Sequence, residues 1–198
     1  MNERPSLNKP TSSIGIVLVF GLSGVGKSTA CASYVARHPS VLHTSAGALL
    51  QAAKNIDSAI LRTDVAGNIL QNQNLLGEAL KRFRLGRETS DVLIDAHSVI
   101  DNDHELIEVP IDAVRAMSPN GLVLLEAPPE LVAERRRKDA RLRPFRTVEE
   151  LRFQTGIARR VCESYASELG LPLEIGTATH NGDLEVLIQR MMSRRRIG

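Results

Sequence analysis

The feature that most constrains the fold of this chain is the segment 14–30, "IGIVLVFGLSGVGKSTA". Its apolar first half is typical of a buried strand, and the following "KSTACASYVARH" can form a helix. Four residues between them fit the pattern G-x-x-x-x-G-K-[ST], namely Gly21, Gly26, Lys27 and Ser28. The segment therefore predicts a strand, a glycine-rich loop and a helix in that order.

A loop of this kind binds phosphate. Glycines let the backbone turn successive N–H groups inward, and the helix that follows adds its positive N-terminal end. Lys27 is expected to reach the β- and γ-phosphates of a nucleotide as a solvent-facing charge, and Ser28 to hold Mg²⁺. The predicted contact residues are Ser23, Gly24, Val25, Gly26, Lys27, Ser28 and Thr29. The plainer alternative is a glycine-rich turn with a solvated lysine.

Composition favours a small enzyme. The 198 residues suit one domain, predicted over 14–198 after a flexible polar leader at 1–13. Aromatic residues make up only 3%, and the net charge is +2, so nucleic acid is an unfavoured partner. No apolar run spans a bilayer and no secretion signal is evident, which predicts a cytoplasmic protein without membrane contact. Cys31 and Cys162 are expected to be buried thiols.

Strand-like segments alternate with helical ones along the chain. The expected strands are 14–20, 41–45, 91–98, 121–128 and 171–176. Thr147 and Glu150 form a capping box for a helix that reaches Leu169. This order predicts an α/β protein with a three-layer, doubly wound, parallel five-stranded sheet.

Ligands of such sheets bind at the carboxyl ends of the strands. Asp95 closes the apolar "VLID", where its carboxylate can hold a Mg²⁺-bound water opposite the loop. A strand-end aspartate that caps the next turn is the alternative. His97 either contacts a substrate base or phosphate or packs in a turn.

The richest charged segment is "ERRRKDARLRPFR" at 134–146. It follows the fourth strand, at the same edge as the phosphate loop. Arginines that close over a transferring phosphoryl group stabilise its negative charge. The break that carries Arg141 and Arg143 therefore predicts a small Arg-rich lid at 134–147. A solvated face and a nucleic-acid contact are the alternatives.

Together these segments resemble the nucleoside monophosphate kinases, most closely the archaeal-type adenylate kinases, from about Ile14 to Met192. "GLSGVGKST" resembles the family's phosphate loop, and "HTSAGALL" resembles the turn that opens its monophosphate site. "LRTDVAGNILQNQNLLG" is similar to the helix whose early arginine grips the acceptor phosphate, and "VLIDAHSVI" resembles the strand end of the archaeal enzymes.

The resemblance implies a P-loop kinase fold and roles for particular residues. Helices within 45–85 would bind the acceptor, through Ser45, Gly47, Arg62 and His97. Lys27, Arg62, Asp95, Arg141 and Arg143 would serve catalysis, and Arg135 would contact the nucleotide. Ala48 and Glu78 depart from the family, which usually has an aspartate and a cation there.

The resemblance thus implies a Mg²⁺- and ATP-dependent nucleoside monophosphate kinase whose partners are small nucleotides. A kinase for another small acceptor is the first alternative. A slow ATPase that acts as a switch in an RNA-containing assembly is the second. Archaeal members of the family often form oligomers, so a homo-oligomer is also expected.

Overall fold

The computed structural model of the protein describes residues 15–54, 66–102, 105–139, 145–177 and 181–193. Its strands are β1 Ile16–Phe20, β2 Leu42–Ser45, β3 Val92–Asp95, β4 Val99–Asp101, β5 Leu106–Glu108, β6 Gly121–Glu126 and β7 Leu173–Thr177. Its helices are α1 Lys27–Arg37, α2 Ala46–Lys54, α3 Ala66–Phe83, α4 Ile111–Ala116, α5 Pro129–Lys138, α6 Val148–Leu169 and α7 Asn181–Ser193. The predicted leader, residues 1–13, lies outside the described residues.

Five strands form the central sheet in the order β2-β3-β1-β6-β7. All of its strand pairs are parallel, which confirms the predicted α/β fold. Every residue of β1 is buried, as expected for a strand with neighbours on both sides and helices on both faces. After β1 the chain forms β2 and β3 on one side of it, and β6 and β7 lie on the other side. The strand order therefore reverses at β1, and ligands of such sheets bind outside the carboxyl end of the strands at this point.

Helices α1 and α7 pack together on the sheet. Tyr34 of α1 donates a hydrogen bond to Gln189 of α7 at 3.0 Å, and the Arg37 guanidinium pairs with both carboxylate oxygens of Glu185. On the α6 side, the rings of Phe20 and Tyr165 lie 5.7 Å apart. These contacts fix helices on both faces of the sheet and give the three layers.

Helix α6 begins and ends where the sequence predicts. The Thr147 hydroxyl accepts from the Glu150 N–H at 3.2 Å, and the Glu150 carboxylate accepts from the Thr147 N–H at 2.7 Å. This reciprocal capping box satisfies two otherwise unpaired donors. At the other end Gly170 adopts φ 64°, the left-handed conformation that commonly closes a helix.

The prediction for 91–98 is wrong beyond Asp95. The strand ends there, and Val99–Asp101 pairs instead with Leu106–Glu108 as an antiparallel hairpin, β4–β5. Each strand of the hairpin has three residues, too few to show a period in the sequence. Distant side chains hold it: Arg146 and Gln154 both donate to the Asp101 carboxylate.

Both cysteines are buried free thiols, as predicted. Burial is the main cause that raises the pKa of Cys31 to about 12, and it does the same for Cys162. Thiols in this state are poor nucleophiles at neutral pH.

Within the described ranges, no helix has both the length and the apolar character needed to cross a membrane.

Two glycines allow a direct test of the packing between the sheet and α7. A Cβ at Gly121 would lie 2.2 Å from Sδ of Met191, whereas a Cβ at the exposed Gly156 of α6 meets nothing within 4 Å. We expect Gly121→Ala to lower the free energy of unfolding by about 1–3 kcal/mol, because overpacking forces a buried side chain to move. Gly156→Ala should raise it by about 0.5–1 kcal/mol through helix propensity. Urea denaturation checks both, and equal effects would contradict the packing described.

Candidate active site

The loop after β1 has the backbone shape that an anion cradle needs. Gly21, Gly24 and Gly26 adopt φ of 149°, 94° and 103°, conformations that other residues rarely adopt. Helix α1 begins at Lys27 directly behind Gly26, so its positive end faces the loop. A Cβ at Gly21 would lie 2.3 Å from the Leu125 carbonyl oxygen, which ties the loop closely to β6.

Lys27 is not the solvent-facing charge that the sequence predicts. Its side chain is buried, with 5% of the residue exposed. The ammonium Nζ donates to the carbonyl oxygens of Gly21 at 2.7 Å and Leu22 at 3.1 Å. A buried cation needs such partners, because an unpaired charge away from water is costly. The loop folds around its own lysine, a closure that the motif alone does not reveal.

Asp95 lies next to this lysine at the end of β3. Burial by itself raises the pKa of the Asp95 carboxyl, but hydrogen bonds from His43 and Ser28 and the charge of Lys27 outweigh it. The pKa therefore lies below its ordinary value. The carboxylate is ionised at neutral pH and is linked directly to the predicted Mg²⁺ residue Ser28.

His43 is the site residue that the sequence analysis missed. Its Nε2 lies 3.1 Å from Oδ2 of Asp95. Strands β2 and β3 pair with His43 opposite Leu93 and Ser45 opposite Asp95. Side chains two residues apart on a strand share a face, so the alternation in "LHTS" places His43 and Ser45 on one face. This alternation is visible in the sequence, but it indicates a contact with Asp95 only once β2 is known to lie next to β3.

Two arginines of α5 reach the loop from the side of β6. Arg135 Nη1 donates to the Val25 carbonyl oxygen at 2.7 Å, and Arg136 Nε donates to the Ser23 carbonyl oxygen at 2.9 Å. Arg135 was predicted to contact the nucleotide. Arg136 was not singled out, because a run of arginines gives no indication of which members face the loop.

The predicted acceptor side begins one strand away from Asp95. The Ser45 hydroxyl accepts from the Ala48 N–H at 3.0 Å and so caps α2. Gly47 is exposed, and so is His97 just beyond β3. Glu78 of α3 pairs with Lys81 on the surface at 2.8 Å. The acceptor roles of Ser45, Gly47 and His97 stay predictions.

The predicted lid is described at its two ends. Arg146 donates through two nitrogens to Asp101, at 3.0 and 2.7 Å, and Gln154 donates to the same carboxylate at 2.9 Å. Arg146 is thus held by the β4–β5 hairpin. Arg141 and Arg143 lie outside the described residues, as does Arg62 of the predicted acceptor site, and their roles stay predictions.

The residues present fit a magnesium-bound nucleotide. A glycine loop with a buried lysine suits phosphate, and Mg²⁺ prefers oxygen ligands such as those of Ser28 and Asp95. No group of three or more His, Cys, Asp and Glu that could hold a metal occurs in the described part of the chain. Mg²⁺ usually keeps several waters and takes few protein ligands, so a site of this size is sufficient.

The fold and the loop define a P-loop protein of the kinase type. The profile of the family described as AAA domain matches residues 20–152, more than half of the chain, and the chain belongs to this family. The adenylate kinase of Pyrococcus horikoshii is 24% identical over 182 residues, which cover 89% of this chain and 93% of the relative. The adenylate kinase of Pyrococcus furiosus is 23% identical with the same coverage.

Solved structures show the same fold at lower identity. The shikimate kinase from Aquifex aeolicus superposes with a TM-score of 0.58 at 17% identity, covering 92% of this chain and 99% of that one. The shikimate kinase from Bacteroides thetaiotaomicron gives 0.53 at 16% identity with the same coverage. The chain therefore has the fold of a small P-loop kinase along nearly its whole length.

The charge of Asp95 gives a prediction with a definite sign. Because its pKa lies below the ordinary value of 3.8, the ionised carboxylate stabilises the folded state above that pH. This stabilisation is lost as the pH falls through the folded-state pKa. Asp95→Asn should cost on the order of 1–3 kcal/mol at pH 7, since it removes a buried carboxylate beside Lys27.

The gap in the free energy of unfolding between wild type and Asp95→Asn should stay constant well above pH 3.8, the ordinary pKa, and narrow as the pH falls through 3.8 to the lower folded-state pKa. Denaturation curves at each pH measure it. The exposed Asp112→Asn is the control, because Asp112 pairs only at the surface with Arg115. A gap that stays constant with pH would contradict the electrostatic account of Asp95.

Proposed function

We propose that the protein is an ATP-dependent nucleoside monophosphate kinase, similar to adenylate kinase, that uses Mg²⁺. The observation that carries the proposal is the register that pairs Ser45 with Asp95. Neighbouring strands lie about 4.8 Å apart, so the turn that opens α2 stands beside the Asp95–Ser28–Lys27 cluster. A donor site and a second, adjacent site are what transfer between two small molecules requires.

The chain's own residues supply positioning and charge. Lys27 and the loop N–H groups would hold the donor phosphates, and Ser28 and Asp95 would hold Mg²⁺. When bound, Mg²⁺ neutralises negative charge on the phosphates. Arg62 would orient the acceptor phosphate, and Arg141 and Arg143 would stabilise the charge of the transferring group. Phosphoryl transfer needs no covalent protein intermediate, because positioning and electrostatics supply most of the catalysis.

A kinase for another small acceptor is the second candidate. Glu78 lies exposed on α3 and is paired with Lys81, where the related kinases usually have a cation. Ala48 is exposed in the first turn of α2, where they usually have an aspartate. Both differences concern the predicted acceptor helices and leave the phosphate loop unaffected. They favour a change of acceptor over a change of reaction.

The engagement of Arg135 and Arg136 with the loop bears on the third candidate, an ATPase switch in an RNA assembly. Two cations of the arginine run donate to carbonyls of the nucleotide site. This arrangement favours a role for the run in the site. We propose small nucleotides as the partners of the protein, and a cytoplasmic location and a homo-oligomer remain parts of the proposal.

Arg62→Ala tests the assignment. We expect it to raise the KM for the monophosphate and to lower kcat, each by about tenfold or more, because charge-assisted hydrogen bonds to the acceptor phosphate are lost. The KM for ATP should change little. Steady-state kinetics with ATP and each of AMP, CMP, UMP and GMP measures these values, with shikimate and no acceptor as further arms.

Arg82→Ala is the matched control, since Arg82 is an exposed arginine at the end of α3. It should match wild type in all arms. If no monophosphate stimulates ATP turnover and another acceptor does, the second candidate replaces the first. If no acceptor matters and Arg62→Ala equals wild type, the protein is an ATPase and the kinase proposal is wrong.

A further inference from the structure

The two arginines that contact the phosphate loop are consecutive in α5. Side chains of consecutive helix residues point about 100° apart, so Arg135 and Arg136 approach the loop from two directions. Their acceptors are the carbonyls of Val25 and Ser23, at 2.7 and 2.9 Å. Both contacts are partly buried, so these hydrogen bonds are partly shielded from water.

The Arg136 stem also packs on the loop. A Cβ at Gly24 would lie 3.1 Å from Cγ of Arg136 and 3.5 Å from Cγ1 of Val132. Helix α5 therefore touches the loop with both the apolar and the polar part of this side chain. An arginine on a solvated face makes no such contact.

The geometry of the peptide unit turns these contacts into an effect on the loop. The carbonyl of Ser23 and the N–H of Gly24 belong to one peptide, and in a trans peptide they point in opposite directions. None of the described peptide bonds is cis. Arg136 holds the Ser23 carbonyl towards α5, so the Gly24 N–H of the same peptide points away from α5. Arg135 holds the Val25 carbonyl in the same way and so orients the Gly26 N–H.

These two N–H groups are donors that a phosphate can use. Among the described residues, neither donates a hydrogen bond to another backbone carbonyl. Gly24 and Gly26 both have positive φ, and glycine populates both signs of φ about equally. A loop of glycines can therefore turn its peptides either way. Some contact outside the loop has to select the orientation.

We propose that Arg136 is a positioning residue for the phosphate loop, which holds the Ser23 carbonyl so that the Gly24 N–H is oriented for a nucleotide phosphate before the nucleotide binds. Arg135 acts in the same way on the peptide between Val25 and Gly26. This inference rests on the proposed function in one respect, namely that the loop binds a triphosphate. Arg136 would act on the backbone of the phosphate loop, and this effect would not depend on which acceptor the protein uses.

The test measures binding without catalysis. Isothermal titration calorimetry with tripolyphosphate and with Mg-ATP, without any acceptor, is carried out on wild type, Arg136→Met, Arg136→Lys and Arg152→Ala. Methionine keeps the stem that packs on Gly24 and removes every N–H. Lysine keeps the charge but has no N–H at the position of Nε. Arg152 is an exposed arginine that pairs with Glu130 of α5 at 3.3 Å. Arg152→Ala is the control, because it removes one positive charge, as Arg136→Met does, from a residue that pairs with the same helix.

We expect Arg136→Met to weaken the binding of both ligands by about tenfold, which is the usual contribution of a hydrogen bond from a charged group. The loss of affinity should be equal for tripolyphosphate and Mg-ATP, because the contact affects the binding of the phosphates and not of the base. Arg136→Lys should recover little of the lost affinity. Arg152→Ala should bind both ligands with an affinity within about threefold of that of wild type. Melting curves without ligand verify that each variant is folded.

Three results would overturn the inference while leaving the proposed function in place: Arg136→Met binding as wild type does, Arg136→Lys restoring wild-type affinity, or Arg152→Ala losing as much as Arg136→Met. The first means no role, and the other two mean that only charge matters. If wild type binds neither ligand, the donor half of the proposed function fails, and the inference fails with it.

Discussion

The buried ammonium of Lys27 is the interaction on which the rest of the site depends. It joins the start of the loop to the start of α1 through the carbonyls of Gly21 and Leu22. Burial raises the pKa of Asp95, but the charge of Lys27 and the hydrogen bonds from His43 and Ser28 together bring it below its ordinary value. A cation with 5% exposure is tolerated only where such partners are fixed. The loop, the helix and the strand end are therefore parts of one electrostatic unit.

Further elements attach to this unit from three sides. His43 connects it to β2 and hence to the predicted acceptor turn at Ser45. Arg135 and Arg136 connect it to α5. The close approach of Gly21 to the Leu125 carbonyl connects it to β6. Hydrogen bonds and close packing thus attach β2, α5 and β6 to the phosphate loop or to Asp95 beside it.

The sequence predicts much of this arrangement and misses specific parts for physical reasons. The strand–loop–helix of residues 14–30 and the capping box of α6 follow from local patterns, and the parallel sheet follows from their alternation. Burial of Lys27 was missed, since the motif specifies the residue but not its surroundings. The His43–Asp95 contact was missed because it depends on the register between two strands.

The most direct test of the kinase account is a ³¹P NMR time course of ATP, Mg²⁺ and the panel of monophosphates with the wild-type protein. The account predicts that the γ-phosphate signal of ATP disappears as the β-phosphate signals of ADP and of one nucleoside diphosphate product appear, with little inorganic phosphate. Release of inorganic phosphate alone, unaffected by any monophosphate, would contradict it.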